Sequence, residues 1–476
     1  MPQMIGKNVL IQIILTLVGS MVGFASLSLS ARLFGPFILG HLAYVFGLTG
    51  LIFAFSDLGL SKAQIHFTAA SNSAKKTLGT FLLLKSGLLL ATTLAALIIA
   101  LVTGPGQFEG VFLIVLASEL LTRLAEGIFV TFEGLQLSWP QNLARLIAKF
   151  FRLIAIVAIG LRLSSILGFG LTYLAEAVVL ILLAFWLVGR FLPLKTEPGL
   201  MKKYFKYSLP FFVIVPFSYA QTNLLTVLLK HFHSAIEVGF FSAAFSLAMY
   251  LKLLFGTVMI FFFPKISNLF GQNKLKEIEY YLNLSLKYQL AIFTPLFIVG
   301  FLLRQEIIGL VLGEAFTPSI AVFAWALLGA FVLLIINPYD YVLYATKNHA
   351  RLVLVNIIGL GLVIALSVYL MKVLALGAVG AALVNLITWI ISGLYAIFLV
   401  KKHLNFSFYK QSLSFIVPAV VLIFIVDSFF NYSQSSLIIK ATLSFASALV
   451  YWLFLYLVKL IKPIDISYFV SLVKPK

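Results

Sequence analysis

Apolar residues run along this chain in long stretches separated by short polar connections. About 20 apolar residues cross a bilayer as a helix. Fourteen stretches reach that length: 9–33, 38–60, 78–103, 110–135, 142–161, 166–189, 208–230, 238–263, 284–303, 319–343, 352–372, 377–400, 413–430 and 437–460. The pattern predicts an all-α polytopic membrane protein with 14 transmembrane helices. The first stretch follows Lys7 and is too long for a signal-peptide core, so it reads as an uncleaved span. The longest polar connections, 190–207 and 264–283, are too short for a soluble catalytic domain. The first contains Pro193, Pro198 and Gly199 and separates six spans from eight.

Two spans break the apolar pattern. "SELLTRLAEGIFVTFEG" (118–134) carries Glu119, Arg123, Glu126 and Glu133. At 100° per residue these four fall in one sector about 80° wide, so the helix can turn all its charge away from lipid. The next span, "QNLARLIAKFFRLIAIV" (141–157), places Arg145, Lys149 and Arg152 at i, i+4 and i+7, again on one face. As antiparallel neighbours, the two spans are expected to pair Glu133 with Arg145, and Glu126 with Lys149 or Arg152. Glu119 and Arg123 can pair along their own helix. Two readings follow: a seam of interhelical ion pairs, or a charged cavity wall with surplus cations for an anion. Ion pairs alone could be replaced by apolar packing at little cost, which favours the second reading. Lys252 lies mid-span and points to a cavity role. Lys85 is expected to snorkel to the nearer membrane face. Asp57 and Asp340 lie near span ends and read as structural. Pro338 in "NPYDY" (337–341) reads equally as a kink or a helix end.

Composition supports the membrane reading. Apolar residues make up 62% and charged residues 10%, with mean hydropathy +1.10, against roughly 25% charged in soluble domains. Lys and Arg number 34 against 15 Asp and Glu, a net charge of +19. No extended basic run stands outside the apolar segments, which argues against nucleic acid as a partner. Anionic lipid or an anionic substrate is left. Cations gather in alternate connections and the span ends beside them, 23 toward one side and six toward the other, with five (Lys85, Arg123, Lys149, Arg152 and Lys252) deeper within spans. The positive-inside rule then places both termini in the cytoplasm. There is no cysteine, and the six histidines show no metal-ligand spacing; His231 and His233 read as a loop end. A faint internal echo links "ARLFGPFILGHLAYVF" (31–46) with "LKHFHSAIEVGFFSAAF" (229–245), as in transporters built from repeats.

The stretch "ARLFGPFILGHLAYVFGLTGLIFAFSDLGLSKAQIHF" (31–67) resembles the start of Wzx-type polysaccharide flippases. These belong to the multidrug/oligosaccharidyl-lipid/polysaccharide exporter superfamily. Further similar stretches follow in order: "SLPFFVIVPFSYAQTNLL" (208–225), "EVGFFSAAFSL" (237–247), "LGEAFTPSIAVFAWALLG" (312–329) and "LGAVGAALVNLITWIISGLYAIFLVKKHL" (376–404). The resemblance implies two six-helix bundles, at 1–190 and 208–403, joined by a cytoplasmic linker, 191–207. Two extra transmembrane helices and a cytoplasmic tail occupy 404–476. It implies a non-enzymatic flippase of the cytoplasmic membrane, working by alternating access on a polyprenyl-(di)phosphate-linked saccharide. The protein would be a monomer among membrane lipids, acting with a polysaccharide polymerase and chain-length machinery.

The implied headgroup site comprises Arg32, Arg123, Lys149, Arg152 and Lys252. Arg32 matches the family's arginine ending span one, and reads either as a headgroup contact or as an anchor to lipid phosphate. No catalytic or metal residue and no cofactor is expected, but coupling to Na+ or H+ is. Asn223, Asn356, Asn385 and Thr388 stand where relatives place cation ligands. Asn223 replaces an aspartate found in some of them, which weakens a sodium site. Glu119, Glu126 and Glu176 are alternative proton carriers, with Glu133 kept for charge pairing. Competing functions are a cation-coupled drug or metabolite antiporter, disfavoured by the cationic stripe, and a membrane-embedded saccharide polymerase or ligase, which would need a large extracytoplasmic loop.

Overall fold

A computed structural model describes residues 2–70, 73–103, 109–135, 137, 139–209, 211–345, 349–404, 412–429 and 435–461. Helices account for nearly all of these residues, and no strand occurs among them. Contacts divide the chain into two compact units, Met1–Ser242 and Ala243–Lys476.

In the first unit, α1 (Pro2–Phe53) has 52 residues, about 78 Å at 1.5 Å per residue. That is far more than the ~30 Å hydrocarbon core of a bilayer. A break at Gly35 (φ 68°, ψ 176°) resolves the mismatch. Glycine tolerates this backbone without a Cβ clash, and Pro36 restarts the helix with its fixed φ. The two expected spans therefore stand on either side of the break. Then come α2 (Leu60–Ala70), α3 (Ala74–Thr103), α4 (Glu109–Gly134), α5 (Trp139–Gly160), α6 (Ile166–Val188), α7 (Pro198–Ser208) and α8 (Phe211–Phe232). Opposite its charged stripe, α4 buries Ala125, Ile128, Phe129 and Phe132 against Ala144 and Ala148 of α5 and Leu180, Ile181 and Ala184 of α6. Most of α7 lies in the connection 191–207, and it packs on α2 and α3 through the fully buried Tyr204.

The first turns of α9 (Ala235–Gly271) belong to this unit and pack against the second half of α1. A Cβ on Gly40 would lie 1.8 Å from the Ala235 carbonyl oxygen, and one on Gly239 would lie 1.9 Å from that of Pro36. The two segments that echo one another in sequence thus meet at a reciprocal glycine contact.

The second unit holds the rest of α9, then α10 (Leu275–Leu302), α11 (Arg304–Val311), α12 (Ser319–Ala345), α13 (His349–Ser367), α14 (Gly377–Leu404), α15 (Ser412–Phe429) and α16 (Leu437–Leu457). A π-helical turn, Val368–Val373, prolongs α13. Close packing of α12 and α14 rests on glycine. A Cβ on Gly329 would meet the Trp389 ring at 2.8 Å, and one on Gly393 would meet Ile336 at 2.0 Å. Helices α15 and α16 lie against α10. The Tyr451 hydroxyl donates to the Phe415 carbonyl at 3.1 Å, and Lys440 reaches Glu306 of α11 at 2.6 Å. Pro338 lies inside α12, which continues to Ala345, so it does not end the helix.

Each of the fourteen expected spans falls on a helix. Eight helical segments among the described residues are long and apolar enough to cross a membrane; one of them, Ile14–Ser56, contains the break at Gly35. The protein is a polytopic all-α membrane protein.

Candidate functional site

The charged face of α4 organises the candidate site. Arg123 Nε donates to Glu119 Oε2 at 2.7 Å, one turn away on the same helix. The guanidinium carbon lies 5.3 Å from the ring centroids of both Phe53 (α1) and Tyr219 (α8). Two aromatic rings and one carboxylate thus fix the guanidinium. Its two Nη groups make no hydrogen bond to protein among the described residues. Beside it opens a cavity of about 410 Å3, lined by Phe46, Gly50, Glu119, Arg123, Tyr219, Thr222 and Asn223. Tyr219, Thr222 and Asn223 follow i, i+3, i+4 spacing on α8 and so share a face. Asn223 Nδ2 donates to the Tyr219 carbonyl at 2.9 Å. A Cβ on Gly50 would stand 2.6 Å from Asn223 Oδ1, so a larger residue there would displace this amide from α1.

Deeper along α4 the pairing departs from expectation. Arg145 engages Glu126 through both nitrogens of its fork, Nε to Oε1 at 2.9 Å and Nη2 to Oε2 at 2.5 Å, and its Nη1 donates to Asn142 Oδ1 at 3.1 Å. Glu133 is bonded instead by Gln141 Nε2 at 3.2 Å. Helix starts explain the difference. The apolar pattern begins at 142, whereas α5 begins at Trp139 with Pro140 in its first turn. Nearly one extra turn brings Arg145 level with Glu126.

Arg152 faces α6 rather than α4. Its Nη1 lies 3.5 Å from Glu176 Oε2, and its guanidinium carbon sits 3.6 Å from the Tyr173 ring centroid. Among the described residues, Lys149 Nζ reaches only the Gly19 carbonyl of α1, at 3.4 Å. The expected surplus of cations is therefore small. Arg123, Arg145 and Arg152 each have a carboxylate, and Lys149 has none within 4 Å among the described residues.

Lys85 does not snorkel. It is 4% exposed and donates to Asp57 Oδ1 at 2.6 Å, and Ser61 Oγ donates to the same oxygen at 2.5 Å. The turn that carries Asp57 passes through two left-handed residues, Leu58 (φ 45°) and Gly59 (φ 85°). A Cβ on Gly59 would lie 2.3 Å from Phe211 Cβ, so the turn admits only glycine there.

The remaining expected residues are dispersed. Arg32 is exposed on α1, three residues before the break, and does not line the cavity. The Lys252 side chain lies outside the described residues. Asn223 belongs to the first unit, with Arg123; Asn356, Asn385 and Thr388 lie on α13 and α14 of the second. Thr388 is buried, and its Oγ1 has no hydrogen-bond partner among the described residues. No group of three His, Asp or Glu side chains that could hold a metal ion occurs among the described residues. Sequence reasoning missed the aromatic wall of Phe46, Phe53 and Tyr219. Its one legible sign was the polar face Tyr219–Thr222–Asn223 on an otherwise apolar span.

Comparison with known proteins agrees with this architecture. The sequence profile of the polysaccharide biosynthesis protein family matches residues 29–321. No curated protein matches the chain. Among solved structures, the lipid II flippase MurJ in an inward closed conformation superposes with a TM-score of 0.74 at 17% identity, covering 93% of this chain and 98% of that one. An inward-facing multidrug resistance MATE family transporter of the MOP superfamily gives 0.58 at 12% identity, covering 83% and 99%. The MATE multidrug transporter DinF-BH in complex with R6G gives 0.57 at 14%, covering 85% and 96%. At these identities the likeness is one of fold.

Proposed function

The chain belongs to the polysaccharide biosynthesis protein family, and from that premise we propose that it is a flippase for a polyprenyl-(di)phosphate-linked saccharide. It would carry the headgroup across the cytoplasmic membrane by alternating access, both termini cytoplasmic, ahead of a polysaccharide polymerase and chain-length machinery. The observation that carries this reading is the fixed Arg123 guanidinium on the wall of a cavity inside a membrane-spanning unit. A (di)phosphate presents oxygens that a guanidinium fork matches with charge-assisted bonds. Glu119 holds the fork by Nε and leaves the Nη pair for the anion. Asn223, Thr222 and Tyr219 supply amide and hydroxyl groups of the kind that recognise sugar hydroxyls. The carboxylate compensates the guanidinium when no substrate is present, which keeps the empty site tolerable in a low-dielectric setting. Lys149, on the α1–α5 side of the same unit, is a second station for negative charge. Coupling to Na+ or H+ belongs to this proposal, with Glu119 and Glu176 as the proton carriers.

The test is transport in proteoliposomes, with a fluorescent polyprenyl diphosphate saccharide scored by its accessibility to a quencher. Hydrogen bonds to charged groups are worth about 1.5–3 kcal/mol each, so Arg123→Ala is expected to slow flipping by about 10- to 100-fold. Unchanged flipping in the folded variant overturns the site. Export of a cationic dye with no saccharide transport overturns the function.

A further inference from the structure

We propose that α7 and the adjoining face of α2 form a binding surface for anionic phospholipid headgroups. Helix α7 has 11 residues, about 16 Å, too short to cross a bilayer. It joins α6 to α8, so it lies where two spans meet the membrane edge. Three sectors divide its circumference. One carries Tyr204 and Ser208, both fully buried, with Tyr204 packed on α2 and α3. The next carries Phe205 and Leu209, 50% and 62% exposed. The third carries Lys202, Lys203 and Lys206, all exposed.

A buried polar chain fixes this rotation. The Tyr204 hydroxyl donates to Gln64 of α2, whose Nε2 donates to Thr131 Oγ1 of α4 at 2.8 Å. Burial pushes the Tyr204 phenol above its ordinary range, so it keeps the proton it donates. With Tyr204 held inward, the lysines cannot turn from solvent. On α2, Lys62 is exposed too, one turn before His66, whose ring stacks on Tyr207 of α7 at 4.5 Å.

Among the described residues these cations have no acidic counterpart. Glu197 is the one acid between 190 and 210, and it pairs with Lys76 at 3.2 Å. No acidic side chain pairs with Lys62, Lys202, Lys203 or Lys206 among the described residues. An anionic membrane surface complements both exposed sectors at once. Phe205 and Leu209 enter the acyl boundary while the ammonium groups meet lipid phosphates. Lysine suits this task because it binds phosphate as a point charge and demands no fixed geometry.

The test uses full-length protein reconstituted with spin-labelled phosphatidylglycerol or phosphatidylcholine, comparing wild type with the triple variant K202Q/K203Q/K206Q. Wild type is expected to prefer phosphatidylglycerol, less so at high salt. The triple variant is expected to lose about half of that preference or more, with unchanged thermal unfolding. The variant K202R/K203R/K206R, which keeps the charge, should retain it. Equal selectivity in wild type and the triple glutamine variant overturns the proposal. So does unchanged lipid selectivity with lost saccharide-lipid flipping, which would assign the lysines to the substrate's phosphate.

Discussion

Arg123 shows what a single charged residue needs in order to stay inside a membrane protein. A carboxylate on its own helix and two rings from other helices compensate it, yet it still lines open volume. Arg145, on the next helix, has the opposite fate, because its fork is consumed by Glu126. The account therefore predicts unequal effects. Arg123→Lys keeps the charge but loses the fork, and should retain only part of the flipping rate. Arg145→Ala should act on stability first, read as a lower unfolding temperature of the purified protein. Asp57 and Lys85 give a sharper stability test. Removing one partner leaves a buried charge alone, which costs about 3–5 kcal/mol. Asp57→Asn or Lys85→Met should accordingly depress folded yield and thermal stability, and the double variant should recover much of the loss. If the double variant is as unstable as the worse single one, the pair is not what holds this turn.

Helices were legible in the sequence because apolar runs of bilayer length leave few alternatives. Their breaks and starts were less so. The Gly35–Pro36 break agrees with the expected gap between spans one and two, since glycine and proline punctuate strongly. The start of α5 was misjudged because Trp139 and Pro140 precede the apolar run although they are helical. That three-residue error misassigned the partners of Glu126 and Glu133, because register decides which side chains meet. Side-chain direction was equally hidden for Arg152, which lies on a charged face yet reaches α6. The polar stretch 191–207 concealed α7, whose single inward tyrosine is too weak a periodic signal in 11 residues. At this scale the glycine joint is the critical contact. Gly40→Val or Gly239→Val should push α1 and α9 apart, because backbone on the opposite helix has no rotamer with which to yield. Cysteines at Phe37 and Ile236, both partly or largely exposed, should cross-link readily in wild type. Loss of the cross-link in the valine variants is the expected result; undiminished cross-linking contradicts a tight joint.

At the scale of the whole molecule, the balance of charge set the direction of the functional reading, and the structure narrowed it. A net charge of +19 suggested an anionic substrate. Most intramembrane cations of the first unit then proved to have carboxylate partners, so the excess lies in the connections, as on α7. What singles out the α4 stripe is the cavity at one end of it. The fold is shared with a lipid II flippase and with multidrug transporters, so fold alone does not choose a substrate. The choice rests on the chemistry of Arg123 and its α8 neighbours. The most direct test reconstitutes wild type and Arg123→Ala in proteoliposomes and follows a fluorescent polyprenyl diphosphate saccharide from one leaflet to the other. An anion site built on Arg123 gives protein-dependent flipping by wild type and a loss of about tenfold or more in the folded variant. Equal flipping by both, or none by wild type, would contradict it.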